Sequence, residues 1–105
     1  MTVLIDHEVH EGWTSWMIND HIPEIMDTHC FESWKISKVL GADESQGINY
    51  AVQFVAPSMQ KFEEYSDLHL QRFQEEHTRM YREKYVAFRT LLETIYEGRN
   101  DLANR

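Results

Sequence analysis

Three side chains stand where chemistry could be done. His21 falls inside GWTSWMINDHIPEIMDT (12 to 28), His69 lies midway along a long polar and aromatic helical stretch, and Arg89 is set in the apolar run AFRTLLE. An imidazole titrating near neutrality is the natural proton-transfer group, either as general base or as general acid. A guanidinium in an apolar strand needs a carboxylate from the fold, with Asp6, Glu8 and Glu32 as the available partners, or the anion of a bound ligand. Each residue also has a purely structural reading: His21 and His69 as hydrogen-bonded histidines, and Arg89 as half of an ion pair.

Other chemistries lack their residues. There is no HExxH, CxxC or GxSxG pattern and no phosphate-cradling glycine loop, and nothing around Cys30 activates a thiol. His69 and His77 are two helical turns apart, roughly 12 Å by helix rise, too far to share one ion. No metal site and no cofactor are therefore expected. The formal net charge of -8 is the wrong sign for a phosphate-binding surface, which excludes nucleic acid as a partner. A single cysteine cannot form an intramolecular disulfide, and no signal-peptide pattern opens the sequence, so a reducing cytoplasm is the expected compartment. Apolar runs are a handful of residues, against the roughly 20 that span a bilayer, so no membrane partner is expected.

The elements that must position these residues follow from period and punctuation. TVLIDHEV (2 to 9) alternates as a strand does, and Trp13, Trp16 and Met17 then take up helical spacing from about Glu11 to Thr28. Ile18, Ile22 and Ile25 form a second stripe rotated away from the first, with His21 between them. Pro23 has no amide proton and clashes with the Asn19 carbonyl, so the helix should kink or restart there and turn a new face to the core. FESWKISKVL (31 to 40), the loop GADESQG (41 to 47) and INYAVQFVA (48 to 56) read as a β-hairpin. Pro57 and Ser58 start one uninterrupted helix from Met59 to Arg82, whose stripe of Phe62, Tyr65, His69, Phe73 and Met80 puts His69 against the sheet, with Glu76 and His77 at its margins. KYVAFRTLLETI (84 to 95) begins as the last strand, and GRNDLANR has nothing to bury.

Strand, helix, strand, strand, helix, strand makes two split βαβ units: an α+β, ferredoxin-like βαββαβ sandwich with a four-stranded antiparallel sheet and both helices on one face. One domain over 1–95 with a frayed tail over 96–105 is expected. The third strand is apolar on both faces, with Ile48, Tyr50, Val52 and Phe54 opposite Ala51 and Val55, and the last strand repeats this, with Tyr85, Ala87 and Leu91 opposite Val86, Phe88 and Leu92. A second apolar face needs a cover, and the simplest is the same sheet of another copy, giving a homodimer packed sheet to sheet.

Trp13, Trp16, Met17, His21, Ile22 and Pro23, then Phe31, NYAVQF (49 to 54) and AFRTLLE (87 to 93), resemble a bacterial family of uncharacterised small proteins in the dimeric α/β-barrel superfamily. The resemblance spans about residues 2 to 93. It implies a ferredoxin-like protomer and a dimer closing a barrel, and it carries no known activity. The wider superfamily includes cofactor-free monooxygenases, isomerases, cyclases and some haem-binding proteins, usually with a pocket between sheet and helices. Trp13, Trp16, His21, Tyr50, Gln53 and Arg89 match family-like positions, whereas His69 is particular to this chain. The functional expectation is a small organic ligand held in such a pocket by His21, Gln53 and Arg89, walled by Trp13, Trp16, Tyr50 and Tyr65. The rivals are a cofactor-free monooxygenase- or isomerase-like enzyme using His21 or His69, and an interaction dimer with no site.

Overall fold

The computed structural model describes residues 1–100. The end of the expected tail, 101–105, lies outside the described residues. The strands are β1 (Thr2–Ile5), β2 (Ser33–Lys38), β3 (Ile48–Val55) and β4 (Tyr85–Phe88). They form one antiparallel sheet in the order β2-β3-β1-β4. β1 and β2 are both antiparallel to β3, which lies between them. β3 and β4 are likewise both antiparallel to β1, so each β-helix-β unit is split by a strand of the other. The chain is thus α+β with an open four-stranded sheet, compatible with a ferredoxin-like arrangement.

Register assigns the faces. Val3 pairs with Tyr50 and Ala87, Ile5 pairs with Ile48 and Tyr85, and Ile36 pairs with Val52. Apart from exposed Ala87, these side chains pack under the helices, and Val3, Ile5, Ile48 and Val52 are buried in one core with Trp13, Met17 and Ile22. A second cluster joins Ile25, Cys30, Tyr65 and Phe73, with Phe54 reaching it from the same sheet face. The opposite face carries Leu4, Ala51, Val55, Val86 and Phe88, and Val86 and Phe88 are 54% and 69% exposed.

Helix α1 (His10–Trp16) and α2 (Ile22–Met26) are not separated by the expected break at Pro23 but are joined by a π-helical turn over Met17–His21. In that turn the Ile22 amide donates to the Met17 carbonyl, five residues back. The proline enters as an early residue of α2, where its missing amide costs little. The wider turn inserts one residue into the helical count, about 100° of rotation. It is what swings Ile22 and Ile25 onto the buried side below Trp13 and Met17.

The expected single helix over 59–82 is two: α3 (Met59–Leu68), capped by Ser58 Oγ accepting from the Lys61 amide, and α4 (Leu70–Tyr81). They part at His69, with φ −128° and ψ −31°. No glycine or proline marks the place. Tyr65, His69, Phe73, His77 and Tyr81 recur every four residues, and in an ideal helix each such step drifts about 40° around the axis. The break resets the phase so that Tyr65, Phe73 and His77 are all buried, while His69 is only half-buried. Met80, expected in the stripe, is 52% exposed.

β4 ends at Phe88, opposite Thr2, the first residue of β1. Residues beyond it have no ladder to join. Leu91 and Leu92 are therefore not strand residues, and 89–100 carry no regular secondary structure. At the start of β3, Gly47 has φ +152°, and a Cβ there would lie 2.4 Å from the Ile5 carbonyl oxygen. That close approach brings the hairpin loop against β1 and admits glycine alone.

Candidate functional site

Trp13 and Trp16 from α1, His21 from the π turn and Phe73 and His77 from α4 close into one aromatic box over the sheet. Trp16 stacks on His21 with ring centroids 4.4 Å apart. Phe73 meets the His21 ring edge-on at 5.7 Å, and His77 lies 5.9 Å away. Trp13 Nε1 donates to His77 Nε2 at 2.9 Å, so the proton of the neutral His77 is on Nδ1. Tyr85 of β4 packs edge-on against His77 at 4.3 Å.

His21 and His77 are 4% and 5% exposed. Burial pushes both pKa values down to about 4, with His77 lowered further by the neighbouring His21 and Arg89. Both are neutral at pH 7. Glu76 Oε1 is 3.6 Å from His21 Nδ1, outside hydrogen-bond reach, and that nitrogen is buried with no partner. The carboxylate therefore does not offset the burial. Two neutral imidazoles in an aromatic enclosure, one with an idle ring nitrogen, are set up to take a proton only if the box opens.

The box meets solvent at Tyr50. Its ring lies 5.1 Å from Trp13, and its hydroxyl pairs with His10 Nδ1 at 3.0 Å. Together with Glu11, Thr14, Ser15, Ile18 and Asn19 they line a shallow open groove of about 350 Å³. His10 was not anticipated as a site residue. It stands at the junction of strand and helix, where neither period gives it a face, and only the cross-strand position of Tyr50 reveals the pairing.

The residues expected at the site are thus partly assembled. Trp13, Trp16 and His21 come together, and Tyr50 adjoins them. Tyr65 belongs to the second cluster and reaches the box only through Phe73, on which it stacks at 6.2 Å. Gln53 is exposed on the open face, pointing away from Tyr50, as alternation along β3 requires. His69 does not face the sheet; its Nδ1 is 3.4 Å from Arg72 Nη2 at the helix break. The buried histidine of this helix is His77. Arg89 meets neither Asp6, Glu8 nor Glu32: with the Gln74 amide oxygen turned towards it, Nη2 and Nε donate at 3.0 and 3.1 Å. Among the described residues, no group of three or more His, Cys, Asp or Glu is placed to hold a metal ion. Nor is any helix among them long and apolar enough to cross a membrane.

Fold and box together define an α+β protein with one covered and one open sheet face and a neutral histidine pair under the cover. The chain belongs to the family described as Domain of unknown function (DUF4286), whose model matches residues 1–95. No curated protein and no solved structure matches it.

Proposed function

We propose that the chain forms a cytoplasmic, bacterial homodimer of ferredoxin-like protomers, one domain over 1–95, packed sheet to sheet in the dimeric α/β-barrel manner. Each protomer binds a small organic ligand at the groove where Tyr50 and His10 join the aromatic box. The observation that carries the dimer is the open face itself. Phe88 and Val86 stand 69% and 54% exposed beside half-buried Leu4 and Ala51, and Val55, 48% exposed, lies further along β3 beyond Gln53, so the face holds large apolar side chains that water solvates poorly. A second copy of the same face is its self-complementary cover. The ligand reading rests on the groove's make-up: an apolar wall of Ile18 and the Tyr50 ring with convergent polar groups from His10, Thr14 and Asn19.

Sedimentation velocity tests the dimer. The wild type is expected to sediment as a dimer at micromolar concentration and Phe88→Asp as a folded monomer. A monomeric wild type refutes the reading. For the ligand, a panel of small aromatic and carboxylate compounds is titrated against tryptophan emission, and Tyr50→Ala is expected to abolish any response the wild type gives.

One observation favours the enzyme reading as a second: the idle Nδ1 of His21. Were the Trp16 stack to open, His21 would meet a substrate as a neutral general base, and His21→Ala would then abolish turnover while leaving binding intact.

A further inference from the structure

The segment after β4 has no regular secondary structure and carries four large apolar side chains that nothing covers. Leu91, Leu92, Ile95 and Tyr96 are 69%, 83%, 92% and 92% exposed, and Ile95 and Tyr96 are the most exposed large apolar side chains among the described residues. We infer that residues 90–96 form an arm that crosses to a second copy of the chain and lies on that copy's open sheet face, so that two arms are exchanged in each dimer. This rests on the dimer reading above and adds to it the segment that completes the interface.

Three observations lead there. The arm cannot readily cover its own sheet: it continues directly from β4, and between Phe88 and Gly98 there is no glycine, proline, asparagine or aspartate to reverse the chain. It has no strand to join either, because its neighbour β1 starts at Thr2, opposite Phe88.

The second observation is area. Taking roughly 150–200 Å² for a fully exposed large side chain, the four arm residues with Phe88, Val86 and Val55 present roughly 900 Å² per copy, close to the roughly 800 Å² per partner of a stable interface. Phe88, Val86 and Val55 supply about a third of that and the arm supplies the rest, so the arm holds most of the large apolar surface available for an interface.

Charge is the third. The protein is acidic overall, and self-association of like surfaces is opposed by that charge. On the open face, however, stands Lys35, paired across the ladder with Gln53, with no carboxylate within ion-pair distance among the described residues. The arm carries Glu93 between its apolar residues. An arm on the partner's sheet brings a carboxylate to a free ammonium, and an arm in solvent does not.

The test compares three full-length proteins by sedimentation velocity over a concentration series: the wild type, an arm variant (Leu91→Ser, Leu92→Ser, Ile95→Ser, Tyr96→Ser) and Phe88→Asp. Because the arm side chains are uncovered in the protomer, the arm variant is expected to keep the wild-type circular dichroism. Its dimer dissociation constant should rise by at least about 100-fold, a conservative figure for burying four such residues. Hydrogen exchange supplies a second readout: amides of 90–96 should be protected in the wild-type dimer and unprotected in monomeric Phe88→Asp. A wild-type dimer whose dissociation constant the arm variant leaves within threefold overturns the arm inference while the dimer reading stands. So does protection of the arm in monomeric Phe88→Asp, which would mean that it covers its own chain. A monomeric wild type overturns both.

Discussion

Acidification between pH 7.5 and 5 should cost this protein several kcal/mol of stability, most of it from two histidines, with the α-amino group of Met1, whose pKa burial lowers from 8.0, adding a loss of the same sign. His21 and His77 have folded pKa values of about 4 against 6.5 for a free imidazole. With the folded value below the unfolded one, the unfolded chain binds the extra protons between pH 6.5 and 4, so stability is full above that window and lost as pH falls through it. At pH 5 an unfolded histidine is almost wholly charged and either buried one almost wholly neutral. That difference is worth about 2 kcal/mol for each and about 4 kcal/mol for the pair. The exposed carboxylates held low by their hydrogen bonds, Asp43 and Glu64, lose their contribution only at lower pH and do not enter this range. Urea unfolding followed by circular dichroism at fixed protein concentration measures the effect, expected as a fall in the midpoint of roughly 2–3 M. His21→Phe keeps a ring against Trp16 and removes the unpartnered nitrogen. It should be no less stable than the wild type at pH 7.5 and should lose only about half as much by pH 5. A midpoint flat from pH 7.5 to 5, or an undiminished loss in His21→Phe, refutes the argument that these imidazoles are held neutral by burial.

Two further outcomes follow from the packing. Gly47→Ala forces a Cβ into the Ile5 carbonyl at a positive φ, and should destabilise the protein by about 1–3 kcal/mol in the same assay, with β1 amides exchanging faster. Trp13→Phe leaves His77 Nε2 without its donor in a buried site and should cost about 1–3 kcal/mol beyond the lost packing. Trp16→Phe, which breaks no such bond among the described residues, should cost less; equal losses would mean that the Trp13–His77 hydrogen bond contributes nothing.

The succession of strands and helices along the chain, the hairpin with its glycine-bounded loop, the Ser58 cap and the two-faced sheet could all be read from alternation and turn chemistry, because these depend on near neighbours. Pro23 announced a disturbance in the first helix and a change of buried face. What period alone could not specify was that the change would be made by a π turn upstream of the proline. The second helix was harder. Nothing local marks His69 as a break, and an uninterrupted helix puts it towards the core with His77 at the edge. The reverse arrangement arises from holding a four-residue repeat against the sheet, and although the repeat is visible in the sequence, the position at which its drift is reset is set by tertiary packing. Gln53 entered the expected site through family likeness although the alternation of its own strand turns it away from Tyr50. Arg89, expected within a strand beside a carboxylate or a ligand anion, instead follows the end of β4, is exposed, and meets a neutral amide on α4, a contact between distant segments that no local pattern encodes.

The tryptophan–histidine contacts also make the protein its own optical probe. Trp13 and Trp16 each touch an imidazole, and the third indole, Trp34, lies apart on β2 at 38% exposure. An imidazolium quenches an adjacent indole where a neutral imidazole does so weakly, so the emission of buried Trp13 and half-buried Trp16 and the protonation of the two buried histidines are a single observable. Whatever opens the box, whether acid, a ligand beside Tyr50 or a partner on the far face of the sheet, should be seen as a change of light from residues already in place, with no label attached.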